Sequence, residues 1–270
     1  MQAEKMIDSY DGFHLYARKD TSENAKAVAV VVHGLCEHQG RYNYLTEKLN
    51  EHNFSVYRFD HRGHGKSDGE RAYLKDFNCL TDDTNFIVDL AKKENPKLPV
   101  FLIGHSMGGF TVACYGAKYP GKVNGLVLSG ALTNDVAGAF KQIPDGLDPH
   151  KTFPNELTDN ICRDPKVCKA YADDPLRCHV ITAGLIYAMQ DGVRWLGENA
   201  GEFKDPALLM HGECDKIVSY KDSCKFFTMI GSQDKQLKIY GKCYHEIMNE
   251  YCRDEVIGDV IRWIENRIQR

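Results

Sequence analysis

An apolar stretch, Val100-Phe101-Leu102-Ile103, runs straight into Gly104-His105-Ser106-Met107-Gly108-Gly109 and then into the helix-like run 110–117. No other stretch constrains the fold as tightly. A turn this sharp between a strand and a helix leaves no room for a Cβ at its glycine positions, so Gly104 and Gly108 read as steric necessities. It lifts the Ser106 hydroxyl above the sheet and aims the first amide groups of the helix at the space in front of it. Ser106 is the candidate nucleophile. Met107 N–H is a candidate donor to an oxyanion. The chain carries a second copy of the pattern, Gly65-Lys66-Ser67-Asp68-Gly69. A polar loop precedes that copy and Glu70-Arg71 follow it, so Ser67 lacks both the strand and the helix.

The 270 residues suit one large domain with room for an inserted subdomain. A chain that is 43% hydrophobic and 27% charged has the composition of a soluble globular protein. Its net charge of −4 and the lack of a basic stripe argue against a nucleic-acid partner. No run approaches the roughly 20 apolar residues of a membrane span, and Met1-Gln2-Ala3-Glu4-Lys5 leads into strand-like sequence without a secretion signal. In that setting ten cysteines read as thiols, and a cytoplasmic location is expected. They form no C-x-x-C pair. Neither Cys162, Cys168 and Cys178 nor His33, Cys36 and His38 match a standard ligand spacing, so no metal and no cofactor is expected.

Residues 6–9 and 13–19 predict two short strands joined by a turn at Asp11-Gly12. The β-branched run 27–32 is apolar on both faces, as a central parallel strand covered by helices requires. It ends at His33-Gly34-Leu35-Cys36-Glu37-His38, where a His-Gly turn can aim the Leu35 N–H at the same oxyanion as Met107. A helix over 42–51, a strand over 54–59, an amphipathic helix over 80–93 and a strand over 123–129 follow. In 60–67 the Gly-Lys-Ser ending suggests a phosphate-binding loop, but Asp60 stands where that motif needs glycine. His61 and His64 are expected to hold this loop by hydrogen bonds. Strands alternating with helices at this spacing predict a mostly parallel sheet with helices on both faces.

The alternation lapses over 131–202, where no strong strand is evident and helical patterns such as 180–189 recur. The expected organisation is a core of 1–130 and 203–270 with a helical cap inserted at 131–202. The sheet resumes at 207–211, and Asp215 sits just past that strand's end. A last strand over 236–240 leads to His245 and to an amphipathic helix over 247–267. The chain order Ser106, Asp215, His245, each beyond a strand end, is that of the α/β-hydrolase fold. In such a triad His245 takes the serine proton and Asp215 fixes its tautomer. Glu213 is the fallback acid.

At these residues the chain resembles the monoacylglycerol lipase / lysophospholipase family of α/β-hydrolases. The likeness is carried by His33-Gly34, Glu37-His38 with Gly40-Arg41-Tyr42, the run 60–69, Gly104-His105-Ser106-Met107-Gly108-Gly109, Arg163-Asp164-Pro165, Asp174-Pro175-Leu176 and the Asp215 and His245 regions. It implies a serine hydrolase of single-chain lipid esters, monoacylglycerols or lysophospholipids, with transient contact to a membrane surface through the cap. It also places Glu37, Arg41 and Tyr171 near the polar end of the pocket. Cys36 stands where the family usually has glycine, and Cys162 where serine often precedes Arg-Asp-Pro. Met248 occupies the position of a second histidine in animal-type members, and the segment 245–250 looks closer to bacterial relatives. A short-chain or hydroxycinnamoyl-type carboxylesterase, and a non-catalytic binding protein derived from a hydrolase, remain alternatives. The oligomeric state is left open. From Leu132, Val136 and Phe140, with Ile181, Leu185, Ile186 and Met189, the wall of an acyl tunnel is expected.

Overall fold

A computed structural model describes residues 2–138, 140 and 143–268. The remaining positions of the expected core and insertion lie outside the described residues. Strand β1 (Gln2–Asp8) pairs antiparallel with β2 (His14–Asp20), from Gln2 opposite Asp20 to Asp8 opposite His14. The turn at Asp11-Gly12 is as expected, with Gly12 at φ 78°, but β1 starts earlier than its apolar residues suggest. Most of it is exposed, so its pairing with β2 rather than a buried face defines it.

The eight-stranded sheet has the order β1-β2-β4-β3-β5-β6-β9-β10. Its members beyond the hairpin are β3 (Ala27–Val32), β4 (Phe54–Phe59), β5 (Val100–His105), β6 (Gly125–Ser129), β9 (Ala207–Gly212) and β10 (Lys235–Tyr240). All six run parallel to one another, and β2 joins β4 antiparallel. This is the α/β-hydrolase fold.

The alternation within β3 shows how two helical layers are held. Val28, Val30 and Val32 join the cluster built with α2 (Asn78–Glu94) and α3 (Met107–Lys118), through Leu80, Ile87, Phe110 and Val112. Ala27, Ala29 and Val31 join the opposite cluster, with Leu45 and Leu49 of α1 (Asn43–Glu51) and Val256, Val260 and Ile264 of α7 (Arg253–Ile268). Every residue of β3 is buried, and burying a Val side chain fully stabilises the fold by about 1.5–3 kcal/mol. β4 lies on one side of β3 and β5 on the other, so the loops leaving β3 and β5 diverge at one point on the carboxyl edge. Such a switch point forms a crevice suited to a ligand.

The segment between β6 and β9 carries β7 (Thr152–Pro154), α4 (Pro165–Ala172), β8 (Val180–Thr182) and α5 (Ala183–Asn199). Two strands are thus present where none was expected. They pair antiparallel, Thr152 opposite Thr182, and three residues are too few to show a period in sequence. The helical pattern read from 180 begins instead at Ala183, because Thr182 caps it by accepting the Leu185 N–H at 3.2 Å. The far half of α5 packs on α3 and on Phe77 just ahead of α2, where a Cβ on Gly192 would come within 2.4 Å of the Phe110 ring. Helix α6 (Tyr220–Met229) covers β9 and β10. α7 begins at Arg253, not at 247, because residues 246–250 make hydrogen bonds to the inserted segment. Among the described residues no helix is long and apolar enough to cross a membrane.

Candidate active site

The turn after β5 is jammed against the end of β3. A Cβ on Gly108 would lie 2.1 Å from the Val32 carbonyl oxygen, and one on Gly104 would lie 2.2 Å from Gly108 O. Between them Ser106 takes φ 54° and ψ −117°. For a residue other than glycine this conformation costs on the order of 1–3 kcal/mol. Hydrogen bonds hold it: Ser106 N–H donates to Ser129 O and Phe110 N–H donates to Ser106 O, both at 2.8 Å.

The same closeness brings the loop after β3 beside the serine, since a Cβ on Gly34 would lie 3.2 Å from Ser106 Cβ. Gly34 N–H donates to Glu37 Oε1 at 2.6 Å. His33 donates from Nδ1 to Gly34 O at 2.8 Å and accepts the His61 N–H on Nε2 at 2.9 Å. Cys36 sits at φ 59°, the left-handed region that favours glycine, which is the physical meaning of the glycine usual at this position. Leu35, Met107 and Ser106 line one cavity.

His245 lines that cavity too, and its Nδ1 lies 2.6 Å from Asp215 Oδ2. Asp215 Oδ1 accepts the N–H groups of Ile217 and Val218 at 2.8 and 2.9 Å. Burial alone would raise the Asp215 carboxyl pKa. The His245 charge and the hydrogen bonds from His211 and His245 outweigh it and hold the carboxyl well below its usual range. For His245, burial disfavours the imidazolium, but the charges of Asp215, Glu246 and Glu37 prevail and raise its pKa. His105, whose ring centroid is 4.6 Å from that of His245, is pushed down to about 4 by burial and by His245, so it stays neutral. An imidazole poised by a carboxylate beside a strained serine can accept the serine proton.

Glu37, Arg41 and Tyr171 meet at one end of the cavity. Arg41 donates to Glu37 Oε2 at 2.6 Å and makes a two-pronged pair with Glu246, at 2.6 and 2.8 Å. Its guanidinium stacks 4.9 Å from the centre of the Tyr171 ring, whose hydroxyl accepts from Asn155 Nδ2 at 2.7 Å. Glu37 Oε1 also accepts the Tyr42 hydroxyl at 2.6 Å. Much of the hydrogen-bonding capacity of this cluster is spent internally. Its two carboxylates against one guanidinium leave a net negative charge.

The cavity, about 300 Å³ in all, has an apolar wall of Leu132, Phe140, Ile181, Leu185, Ile186 and Met189, while Leu157, Ile161 and Ile217 line it beside Tyr171. Val136 is a correction to the expected wall. It is 44% exposed and lies outside the lining, because Asp222 binds the N–H groups of 133–136 and turns the backbone there. Lys216 also reaches the cavity.

Two residues at this site escaped sequence reasoning. His211, in β9, is fully buried with Nε2 3.0 Å from Asp215 Oδ2. A histidine four residues before the acid, at the end of an apolar strand, was the available signal. Glu246, directly after His245, was visible only as an acid in a turn. Ser67 is far from the elbow in role: its hydroxyl donates to Asp60 O at 2.6 Å and accepts the Tyr16 N–H at 2.8 Å. Glu213 is exposed and accepts a 3.3 Å bond from Lys242 N–H, away from His245. His61 and His64 make backbone hydrogen bonds within the loops, as expected.

Comparison with known proteins agrees with the fold and adds the lineage. A family model described as serine aminopeptidase, S33, matches residues 23–251. The chain is 34% identical over 250 residues to a monoacylglycerol lipase of Mycolicibacterium smegmatis, covering 90% of this chain and 89% of that one. It is 32% identical over 272 residues to a monoglyceride lipase of Homo sapiens, covering 95% and 88%. The crystal structure of a Paleococcus ferrophilus monoacylglycerol lipase superposes with a TM-score of 0.82 at 30% identity, covering 94% of this chain and 99% of that one. The fold and these likenesses define an α/β-hydrolase of the carboxylic ester hydrolase class. Within it, the chain belongs to the family that contains the monoacylglycerol lipases.

Proposed function

We propose that this enzyme hydrolyses monoacylglycerols through an acyl-enzyme on Ser106, with His245 as base and Asp215 as its orienting acid. The cavity carries this reading: its long wall is apolar and its other end is a compact polar cluster of net negative charge. The acyl chain takes the apolar end and places its ester carbonyl over Ser106. Ser106 Oγ attacks while its proton passes to His245 Nε2, and the oxyanion forms against the N–H groups of Leu35 and Met107. His245 then protonates the departing glycerol oxygen. Water, deprotonated by the same imidazole, releases the fatty acid and restores the serine.

The glycerol end meets Glu37, Arg41 and Tyr171. Glu37, Arg41 and Glu246 spend most of their charge and hydrogen-bonding capacity on one another, so a small neutral hydroxylated head group suits this end better than the phosphodiester of a lysophospholipid. The segment 131–202 acts as the cap, since its residues supply most of the apolar wall. Val136, exposed next to the tunnel residues Leu132 and Phe140, supports transient contact of the cap with a lipid surface. The relatives named as monoacylglycerol and monoglyceride lipases favour the same substrate.

The test is a hydrolysis panel on pure protein with monooleoylglycerol, lysophosphatidylcholine, feruloyl esters and p-nitrophenyl esters from acetyl to palmitoyl. The highest kcat/KM is expected on the monoacylglycerol. Preference for lysophosphatidylcholine or for a feruloyl ester would reject the head-group assignment, and turnover of none would reject catalysis.

A further inference from the structure

The geometry points to a buried Zn²⁺ site formed by Cys36, His64 and Cys178. The three residues are remote in sequence. Cys36 lies in the loop after β3, His64 in the loop after β4, and Cys178 in the segment inserted between β6 and β9. All three are buried, and their donor atoms lie within 4.8 Å of one another.

His64 is the observation that calls for a ligand. Its Nδ1–H donates to Arg62 O at 3.1 Å, which leaves the lone pair on Nε2. That atom is buried and has no hydrogen-bond partner among the described residues. A buried acceptor left without a donor is costly, and a cation would satisfy it. The two thiols face each other and make only weak carbonyl contacts, Cys36 Sγ at 3.6 Å from Val180 O and Cys178 Sγ at 3.5 Å from Gly63 O, while the Ala72 N–H and the Arg71 guanidinium beside Cys178 favour its thiolate. Their backbones are tied more firmly, with Cys178 N–H donating to Cys36 O at 3.0 Å.

Two sulfurs and one imidazole nitrogen are a borderline-soft donor set that suits Zn²⁺, with a fourth position left for water or a carbonyl. Binding converts two thiols to thiolates and releases two protons, so the ion and its sulfurs are together neutral and can stay buried. Bond lengths of about 2.3 Å to sulfur and 2.1 Å to nitrogen require the donors to close in by roughly 1 Å, within reach of side-chain rotation. A Cys36–Cys178 disulfide would leave the His64 lone pair unsatisfied.

Cys36 adjoins Leu35, so an ion here would tie the loop after β3 to the inserted segment. Resting on the catalytic reading above, in which Leu35 N–H receives the oxyanion, the proposal is that occupancy fixes this loop and slows hydrolysis.

Chelator-treated protein kept reduced is titrated with Co²⁺ as a spectroscopic probe, then with Zn²⁺. One equivalent of Co²⁺ should produce a thiolate-to-cobalt charge-transfer band that Zn²⁺ displaces, and Zn²⁺ should raise the melting temperature. The band should be lost in Cys178→Ser and in Cys178→Ala, and weakened in His64→Gln. It should persist in Cys252→Ser, since Cys243 and Cys252, with sulfurs 3.2 Å apart, are the competing thiol pair. No band in the wild type, or a band that survives loss of Cys178, overturns the site. So does a band abolished with Cys252. His64→Gln decides the matter should the Cys178 variants fail to fold, because an unchanged band there also overturns it. Stoichiometric Zn²⁺ should lower monooleoylglycerol hydrolysis at least tenfold, with recovery on adding EDTA. Binding without that loss overturns the coupling to the loop. A wild type that hydrolyses nothing before metal is added fails the catalytic reading alone, since the spectroscopic arm does not depend on it.

Discussion

His211 and His245 converge on the same oxygen, Asp215 Oδ2, from 3.0 and 2.6 Å. His211 is itself fixed, with Ser223 Oγ 2.8 Å from its Nδ1, so its Nε2–H is free to donate to Asp215 and to Val218 O. Both histidines thus drain charge from one carboxylate. His211→Phe should lower kcat by about tenfold, consistent with one hydrogen bond to a charged group, with KM little changed. Because the carboxylate then attracts the His245 imidazolium more strongly, the acid limb of the pH profile should also move to higher pH. A purely structural role for His211 would leave that limb in place.

The pH profile of the parent enzyme follows from the raised His245 pKa. As the proposed base, His245 works only when neutral, so kcat/KM should fall as pH drops through a value above that of an ordinary imidazole. Asp215→Asn removes the largest of the raising charges and leaves burial opposed by Glu246 and Glu37 alone, which should shift the limb to lower pH. The same change should cost roughly four orders of magnitude in kcat, as for an Asp→Asn change in a triad. An unshifted limb in Asp215→Asn would assign the titration to another group.

Ser106 and Ser67 occupy look-alike sequence patterns in different settings. A fluorophosphonate should label Ser106 alone, and Ser106→Ala should abolish both labelling and ester hydrolysis. Ser67→Ala should retain labelling but lose about 1–3 kcal/mol of stability, since it leaves the part-buried Tyr16 N–H and the buried Asp60 O without their partner. Intact-protein mass spectrometry and denaturant unfolding check the two halves.

For the tunnel, each buried methylene adds about 0.8 kcal/mol, so four carbons can raise kcat/KM by roughly two orders of magnitude before the wall is reached. Ile186→Trp or Met189→Trp should move the plateau to shorter chains while leaving butanoyl esters nearly unaffected. A flat profile from acetyl to dodecanoyl esters would contradict the assignment of Leu185, Ile186 and Met189 to an acyl wall.

Gly108→Ala tests the packing of the elbow. Its Cβ would meet the backbone of Val32 and His33 at 2.1 and 2.5 Å, atoms that cannot rotate away. The substitution should destabilise the fold by at least about 1–3 kcal/mol, the usual cost of overpacking, and inactivate the enzyme even where it folds. Thermal melting against residual labelling at Ser106 measures both effects.

What the sequence by itself determined is whatever depends on local forces. The β-branched run of β3 is apolar on both faces and could only be a covered strand. The glycines at 104 and 108 stand where a Cβ meets backbone, a constraint set within a few residues of the turn. The candidate nucleophile, acid and base were legible because each follows a strand end, and parallel strands deliver their ends to one edge. The start of α5 was blurred, since a three-residue strand and a threonine cap carry too little pattern to oppose the apolar run that follows.

Tertiary structure decided the partners. Which acid would brace Arg41 depends on how the turn after His245 meets the loop after β3, and Glu246 is 205 residues away in sequence. His211 becomes a second donor to Asp215 only because the turn after β9 folds back over its own strand. Cys36, His64 and Cys178 come from three separate segments, so no spacing rule could join them. Their proximity comes from the switch between β3 and β5 and from the closure of the inserted segment over it. Hydrophobic periodicity is read along the chain, whereas a hydrogen bond or a ligand set is satisfied by whatever packing brings near.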